Sequence, residues 1–281
     1  MQNSKTLEQD FDFLAVLRTL AVAYEDISII KMQQTRNTIL MARNYIGHLK
    51  NILESIQTAG SGSTIQRGIQ KKKKPLATVV ITANTKFQGD ISRRIFEHFA
   101  RNNKNPGDIY VIGKIGKEFM YEYDKRLKYT DFEVSDIDIS MKDLQPFLQY
   151  LLQYQEVNVY YALFKNLITQ DPASVDIGNK YLLSLEEQGQ DMQRPATPTF
   201  LFEPSVDEIG TFVNDNSIAL MLLQTIYETQ LARFASRMKA MDLLIQRIDE
   251  DSTMIRHTER KLQRQVENSK QLERLTGVAL W

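Results

Sequence analysis

The sequence predicts an α/β protein in which helices from the two ends of the chain pair as a long coiled coil, with an α/β domain inserted between them. Three observations predict it. Tyr227, Leu231, Phe234, Met238, Met241, Ile245 and Ile248 are spaced 4, 3, 4, 3, 4, 3, and the frame continues through Ile255, Leu262, Val266 and Leu272 with polar interruptions. Such a repeat lays one apolar seam along a helix that supercoils on a partner helix. A second helical run, free of proline, lies at the opposite end of the chain. Between the two, β-branched apolar stretches alternate with helical patterns, the signature of a layered domain with a mostly parallel sheet.

The first element, assigned to residues 1–58, is a helix from about Thr6 to Gln57. Phe13, Leu17, Leu20, Tyr24 and Ile27, then Met41, Tyr45, Leu49, Ile52 and Ile56, recur at helical spacing and are expected to form its seam. Gly47 is the run's only glycine. At about 1.5 Å per residue the helix would be ~75 Å long. The polar patch Gln33-Gln34-Thr35-Arg36-Asn37 reads equally as a solvated stretch or as a contact site for another subunit. Residues 59–75 follow as a linker. Ala59-Gly60-Ser61-Gly62-Ser63 has no backbone preference, and the adjacent lysines Lys71 to Lys74 repel one another. Such a lysine run is either a solvated tether or a site for phosphate or anionic lipid.

Pro75 opens the inserted domain, residues 76–204. Leu76 to Thr82 is apolar on both faces, as in a buried parallel strand. The loop Asn84 to Gly89 leads into an amphipathic helix through Ile91, Ile95, Phe96 and Phe99. Asn105-Pro106-Gly107 marks a turn, and Asp108 to Gly113 reads as the second strand. A helix near Asp143 to Gln153 and a strand near Val157 to Phe164 make a third unit. Val175-Asp176-Ile177 and Thr199-Phe200-Leu201-Phe202 are candidate edge strands, and Ser184 to Pro198 is a surface loop.

Residues 205–281 form the last element. Ser205 is a plausible N-cap, with Glu208 three residues later in capping-box spacing. The helix, or a bent pair of helices, would run from Val206 nearly to Trp281, ~110 Å at 1.5 Å per residue.

Composition limits the chemistry. The 281 residues are 42% apolar and 25% charged, as in an ordinary folded protein, and exceed the usual single core. Lys+Arg and Asp+Glu both total 35, so charge signals neither a nucleic acid nor a membrane surface. The absence of cysteine excludes disulfides, thiolate metal sites and thiol catalysis. MQNSKTLEQDFDF is too polar for a signal peptide. No stretch approaches the ~20 apolar residues of a membrane span, so a membrane role requires other subunits to hold the chain there.

No constellation amounts to an active site, and no cofactor or metal is expected. The loop Asn84 to Gly89 occupies the phosphate position of doubly wound folds but lacks G-x-G-x-x-G and a Walker Lys-Ser/Thr pair. Gly113 to Lys117 is better read as a strand-to-helix turn. His48, His98 and His257 do not share metal-ligand spacing. Asp131-Phe132-Glu133 and Asp136-Ile137-Asp138 fit alternation on a strand or loop. The C-terminal tip stands apart. Arg256, Arg260, Lys261, Arg264, Lys270 and Arg274 face Glu259, Glu267 and Glu273 in composition, and the chain closes Leu275-Thr276-Gly277-Val278-Ala279-Leu280-Trp281. It reads either as a frayed terminus or as a plug that needs an apolar sleeve to stay soluble.

These residues resemble the gamma subunit of F-type ATP synthases over nearly the whole chain. Phe202-Glu203-Pro204-Ser205 is similar to the family's Tyr-Glu-Pro-Ser, and Arg237-Met238-Lys239-Ala240-Met241 to its Arg-Met-x-Ala-Met. Lys31-Met32 falls where its first helix has a Lys-Met pair. Ile81-Thr82 and Gly89 frame a loop similar to Ile-Thr-Ser-Asp-x-Gly-Leu-Cys-Gly. Ile112 to Gly116 resembles Val-Gly-Arg-Lys-Gly. Arg264-Gln265 and Gly277-Val278-Ala279-Leu280 resemble Arg-Gln and Gly-Ala-x-Ala-Leu. The departures are Asn84 for the loop aspartate, Gln88 for the loop cysteine, and Ala232-Arg233-Phe234 for a Ser-Glu-His. A further one is the polar patch Gln33 to Asn37 where the family prefers alanines.

The resemblance implies a long antiparallel coiled coil of N- and C-terminal helices with an inserted Rossmann-like α/β domain, serving as the central-stalk rotor shaft of a rotary ATPase or ATP synthase. It implies a chain without catalytic residues of its own. Its partners would be a ring of alternating nucleotide-binding alpha and beta subunits, an epsilon subunit and, where an ion channel is attached, the c-ring. The chain would be peripheral, at the cytoplasmic face of the inner membrane. The implied ring contacts are Arg256, Arg260, Lys261, Arg264 and Gln265, with Leu275, Val278, Leu280 and Trp281 in an apolar bearing. Three alternatives stay open: a gamma-like shaft of a motor without an ion channel, a non-rotary coiled-coil scaffold, and an enzyme using the α/β domain on a nucleotide.

Overall fold

The computed structural model describes residues 2–56, 74–102, 107–136, 139, 141–177 and 205–278. Two compact units divide the chain: one holds 1–28 and 237–281, the other 29–236. Two helices run through both, α1 (Gln2–Ile56) and α5 (Val206–Val278), the latter unbroken over 73 residues. Ser205 caps α5, its Oγ accepting from Glu208 N at 3.3 Å.

In the first unit α1 and α5 pair antiparallel. Arg18 meets Asp249 and Phe11 meets Arg256, so one heptad forward on α1 is one heptad back on α5. On α5 the covered positions are Met241, Ile245, Ile248, Ser252, Ile255, Glu259 and Leu262, the 4-3 repeat of the expected seam. On α1 the expected seam holds at Leu17 alone among its first five positions. Phe13, Leu20, Tyr24 and Ile27 are exposed, Phe13 by 62%. The covered positions are Leu7, Phe11, Leu14, Leu17, Ala21, Glu25 and Ser28. The outward set keeps heptad spacing, and the covered set keeps it apart from Leu17, so α1 carries two stripes, and the one facing α5 is the less apolar. Met41 and Tyr45 are likewise exposed, whereas Thr35 and Ile39 are buried in the second unit.

The second unit contains a five-stranded sheet. Its elements are β1 (Lys74–Ile81), α2 (Ile91–Asn102), β2 (Asp108–Ile112), α3 (Lys114–Tyr123), β3 (Tyr129–Phe132), α4 (Met141–Leu151), β4 (Tyr154–Phe164) and β5 (Gln170–Asp176). The strand order is β3-β2-β1-β4-β5. β1 pairs in parallel with β2 and β4, β2 with β3, and β5 runs antiparallel to β4. α3 begins inside the expected strand-to-helix turn at 113–117, and β3 takes in part of the acidic alternation read as strand or loop. Val175 and Asp176 belong to the edge strand β5, whereas 199–202 and 184–198 lie outside the described residues. Of the expected turn at 105–107 only Gly107 is described, at φ 59.

Central β1 is apolar on both faces because both are covered. Ala77, Val79 and Ile81 pack with Leu144, Phe147, Leu151, Ile218 and Leu222. Val80 packs with Ile91, Ile95, Phe99, Met120 and Ala232. α5 therefore contributes side chains to both cores. Burying each large aliphatic side chain contributes about 1.5–3 kcal/mol.

Candidate functional site

Two places carry the side chains that matter, one in each unit. The first is the tip of the shaft. Continued at the register of Arg18 with Asp249, Gln2 comes level with Gln265. Among the described residues α1 therefore offers nothing beside 266–278. Val266, Leu272 and Leu275 are exposed there, Leu275 by 68%, and Arg256, Arg260, Lys261, Arg264 and Gln265 are exposed as well. The Arg256 guanidinium lies 4.8 Å from the centroid of the Phe11 ring, so this cation also seals the coil near its end. Val278 is the last residue of α5; Leu280 and Trp281 lie outside the described residues.

The second place is the carboxyl end of β1, where a doubly wound sheet holds phosphates. Here the chain's own carboxylate takes that role. Asp136, just beyond β3, accepts from Asn84 N at 3.1 and 3.0 Å. It also accepts from Thr85 N and Thr85 Oγ1, both at 3.0 Å. Arg233, from α5, donates through Nη1 to Asp136 Oδ1 and to Thr82 O, each at 2.9 Å. The pair is almost fully enclosed, with Arg233 and Asp136 side chains 5% and 12% exposed. Asn84 completes the cluster: its Nδ2 donates to Val134 O and its Oδ1 accepts from Lys114 N. The loop amides and the arginine that would cradle a phosphate are spent on Asp136, so this loop is a poor nucleotide site.

Sequence reasoning passed over this cluster. Asp136 looks like one of several alternating acids, and its partner lies 97 residues away. The available signal is the coincidence of two departures from the gamma pattern, Asn84 for an aspartate and Arg233 for the glutamate of Ser-Glu-His. An acid is lost on the loop and a base is gained on the helix, and in space both meet Asp136.

Gly89 closes the same loop against α5. It takes φ 61, and a Cβ there would come within 2.5 Å of Ser236 Oγ. Phe87 also adopts left-handed backbone, at φ 65, a conformation that costs a non-glycine residue about 1–3 kcal/mol.

The fold and these two places define a shaft-bearing α/β protein. A sequence profile of the ATP synthase family matches residues 14–269. The chain is 21% identical to the ATP synthase gamma chain of Desulforamulus reducens over 250 residues, 86% of each chain. It is 24% identical to that of Flavobacterium psychrophilum, with 86% and 85% covered. A chain of the Euglena gracilis mitochondrial ATP synthase rotor shares the fold at TM-score 0.65 and 16% identity, covering 94% of this chain and 99% of that one. A chain of the Tetrahymena thermophila central stalk and c-ring structure does so at TM-score 0.56, covering 79% and 98%. The chain belongs to the ATP synthase family, as a divergent gamma subunit.

Proposed function

We infer that this chain is the central-stalk shaft of an F-type rotary ATPase, a non-catalytic subunit that couples nucleotide turnover in a surrounding ring to rotation. The observation that carries this is the tip. A helix that outruns its partner with Leu272 and Leu275 mostly exposed needs a surrounding apolar wall to stay soluble. The second exposed stripe, Phe13, Val16, Leu20 and Ile27 on α1, asks for the same cover. Alternating alpha and beta subunits supply it. Arg260, Lys261 and Arg264 meet the acidic lever of the ring, with Arg256 beside them. Arg264 and Gln265 form the polar catch on one catalytic subunit, and Leu275, Val278, Leu280 and Trp281 seat in the bearing.

A single asymmetric rod presents a different face to each of three catalytic sites. Its angle biases their nucleotide affinities, and nucleotide state reciprocally biases the angle. The inserted domain meets the epsilon subunit and, in a complex with an ion channel, the c-ring, at the cytoplasmic face of the inner membrane. No helix among the described residues is long and apolar enough to cross a membrane, so other subunits hold the chain there. Purification of the assembly from its native source tests the reading. One copy of this chain per six ring subunits is expected; a symmetric homodimer without ring subunits would overturn it.

A further inference from the structure

Along α5, Tyr227, Gln230, Arg233 and Ser236 recur every third residue and address one strip of the α/β domain. Tyr227 OH donates to Ile139 O at 3.5 Å, and Gln230 Nε2 to Asp136 O at 2.8 Å. Arg233 bridges Asp136 and Thr82, and Ser236 lies against Gly89. Earlier on the same helix, Ile218, Met221, Leu222 and Ile226 seat it by apolar packing. Apolar packing sets which face of α5 is covered, but the attraction itself is non-directional. Hydrogen bonds to two separate segments fix donor and acceptor directions and hence the helix's angle. The loop supplying this grip is held in an unfavourable state. Phe87 is left-handed, and Gln88 Oε1 and Ser92 Oγ are buried without a hydrogen-bond partner among the described residues. Such costs persist where the surroundings over-determine the conformation.

We propose that the Asp136–Arg233 pair, with Gly89 and Ser236 beside it, is the clutch that locks the angular setting of α5 on the α/β domain. α5 continues unbroken past Ser236, so torque exerted on it reaches the domain through this grip. The proposal rests on the rotor reading. Asp136 and Arg233 are positioning residues, acting through the setting of α5.

The test uses the assembled complex with a bead on the α/β domain, attached through a non-cysteine azide handle at Ile168, which is 74% exposed. The chain has no cysteine, and a Cβ at position 89 would lie 3.7 Å from Ser236 Cβ, inside the range of about 3.5–4.5 Å for a disulfide. The strain of a side chain at φ 61 is present in both the oxidised and the reduced protein and cancels in their comparison. The variant Asp136→Asn/Gly89→Cys/Ser236→Cys is assembled oxidised, so that folding and assembly occur with the grip in place, and is then reduced on the stage. Oxidised complexes are expected to drive the bead with wild-type torque. Reduction is expected to lower torque several-fold while hydrolysis stays within about twofold. Equal torque before and after reduction overturns the clutch and leaves the rotor intact, as does low torque in the oxidised state. A wild-type bead that never turns overturns the rotor reading and the clutch with it.

Discussion

Arg18 donates from Nε to Asp249 Oδ1 across 2.8 Å, joining residues 231 positions apart and fixing the register of the shaft. The hydrogen bond from Arg18, with its charge, holds the Asp249 carboxyl below its ordinary value. A carboxylate whose folded pKa is depressed stabilises the fold above its unfolded value, and that stability is lost as pH falls through the folded one. Arg18→Ala is therefore expected to flatten part of the acid limb of thermal stability between about pH 5 and pH 2. Asp108 and Asp171, also held low, remain in both proteins and cancel in the difference. Both partners are about half exposed, so the difference should shrink in high salt. Identical acid limbs in calorimetric scans would place the register elsewhere.

The two stripes of α1 separate stability from assembly. Ile248, 3% exposed, lies on the α5 seam, and Ile248→Ala is expected to cost about 2–5 kcal/mol in the isolated chain. Leu20 lies on the outward stripe, and Leu20→Ala should change denaturant stability by no more than about 0.5 kcal/mol. Retention of the chain in the purified complex should reverse the order, falling for Leu20→Ala combined with Phe13→Ala. Urea titration and pull-down of the ring measure the two effects. A large loss of stability from Leu20→Ala would mean that the outward stripe faces α5 in solution.

These residues also show where sequence reading succeeds and stops. Met241, Ile245, Ile248, Ile255 and Leu262 form one unambiguous heptad frame, and all are at least partly covered. On α1 two frames coexist, and periodicity cannot say which faces the partner. The frame through Phe13, Leu20 and Ile27 is the more apolar, yet Glu25 and Ser28 lie on the seam instead. β1 and β2 are legible because burial on both faces leaves them mostly apolar, and β4 is legible from Val157 to Phe164, where Asn158 is the one polar residue. β3 is short, only partly buried, and carries little such signal. The Asp136 cluster is illegible for a different reason: its charges belong to segments that only the folded sheet brings to one point.

Asp136 supports a prediction of its own. Removing it takes from the buried Arg233 guanidinium the carboxylate 2.9 Å away and from the amides of Asn84 and Thr85 the carboxylate they share. Asp136→Ala should therefore cost about 3–5 kcal/mol. A small carboxylate from solution fits the vacated space, so formate is expected to raise the melting temperature of the variant more than that of wild type, by mass action. Chloride at equal ionic strength controls for screening. Parallel responses of the two proteins to formate would show that the amides do not form an anion cradle.

The shaft tip yields the last test. Arg264 and Gln265 are exposed on α5, level with the start of α1, where they contribute little to the fold. Arg264→Ala/Gln265→Ala should therefore leave the thermal stability of the isolated chain unchanged within about 0.5 kcal/mol. On the proposed assignment the same pair faces a catalytic subunit in the assembled complex, and its loss removes one angle-dependent contact that distinguishes the three sites. Steady-state hydrolysis is expected to fall several-fold, while the isolated shaft melts as before. Because the contact is polar and solvent-facing until assembly, the defect should appear in turnover rather than in subunit content. Unchanged turnover would move the catch to another part of the tip, and Arg260 and Lys261, one turn back along α5, are the next exposed cations to replace.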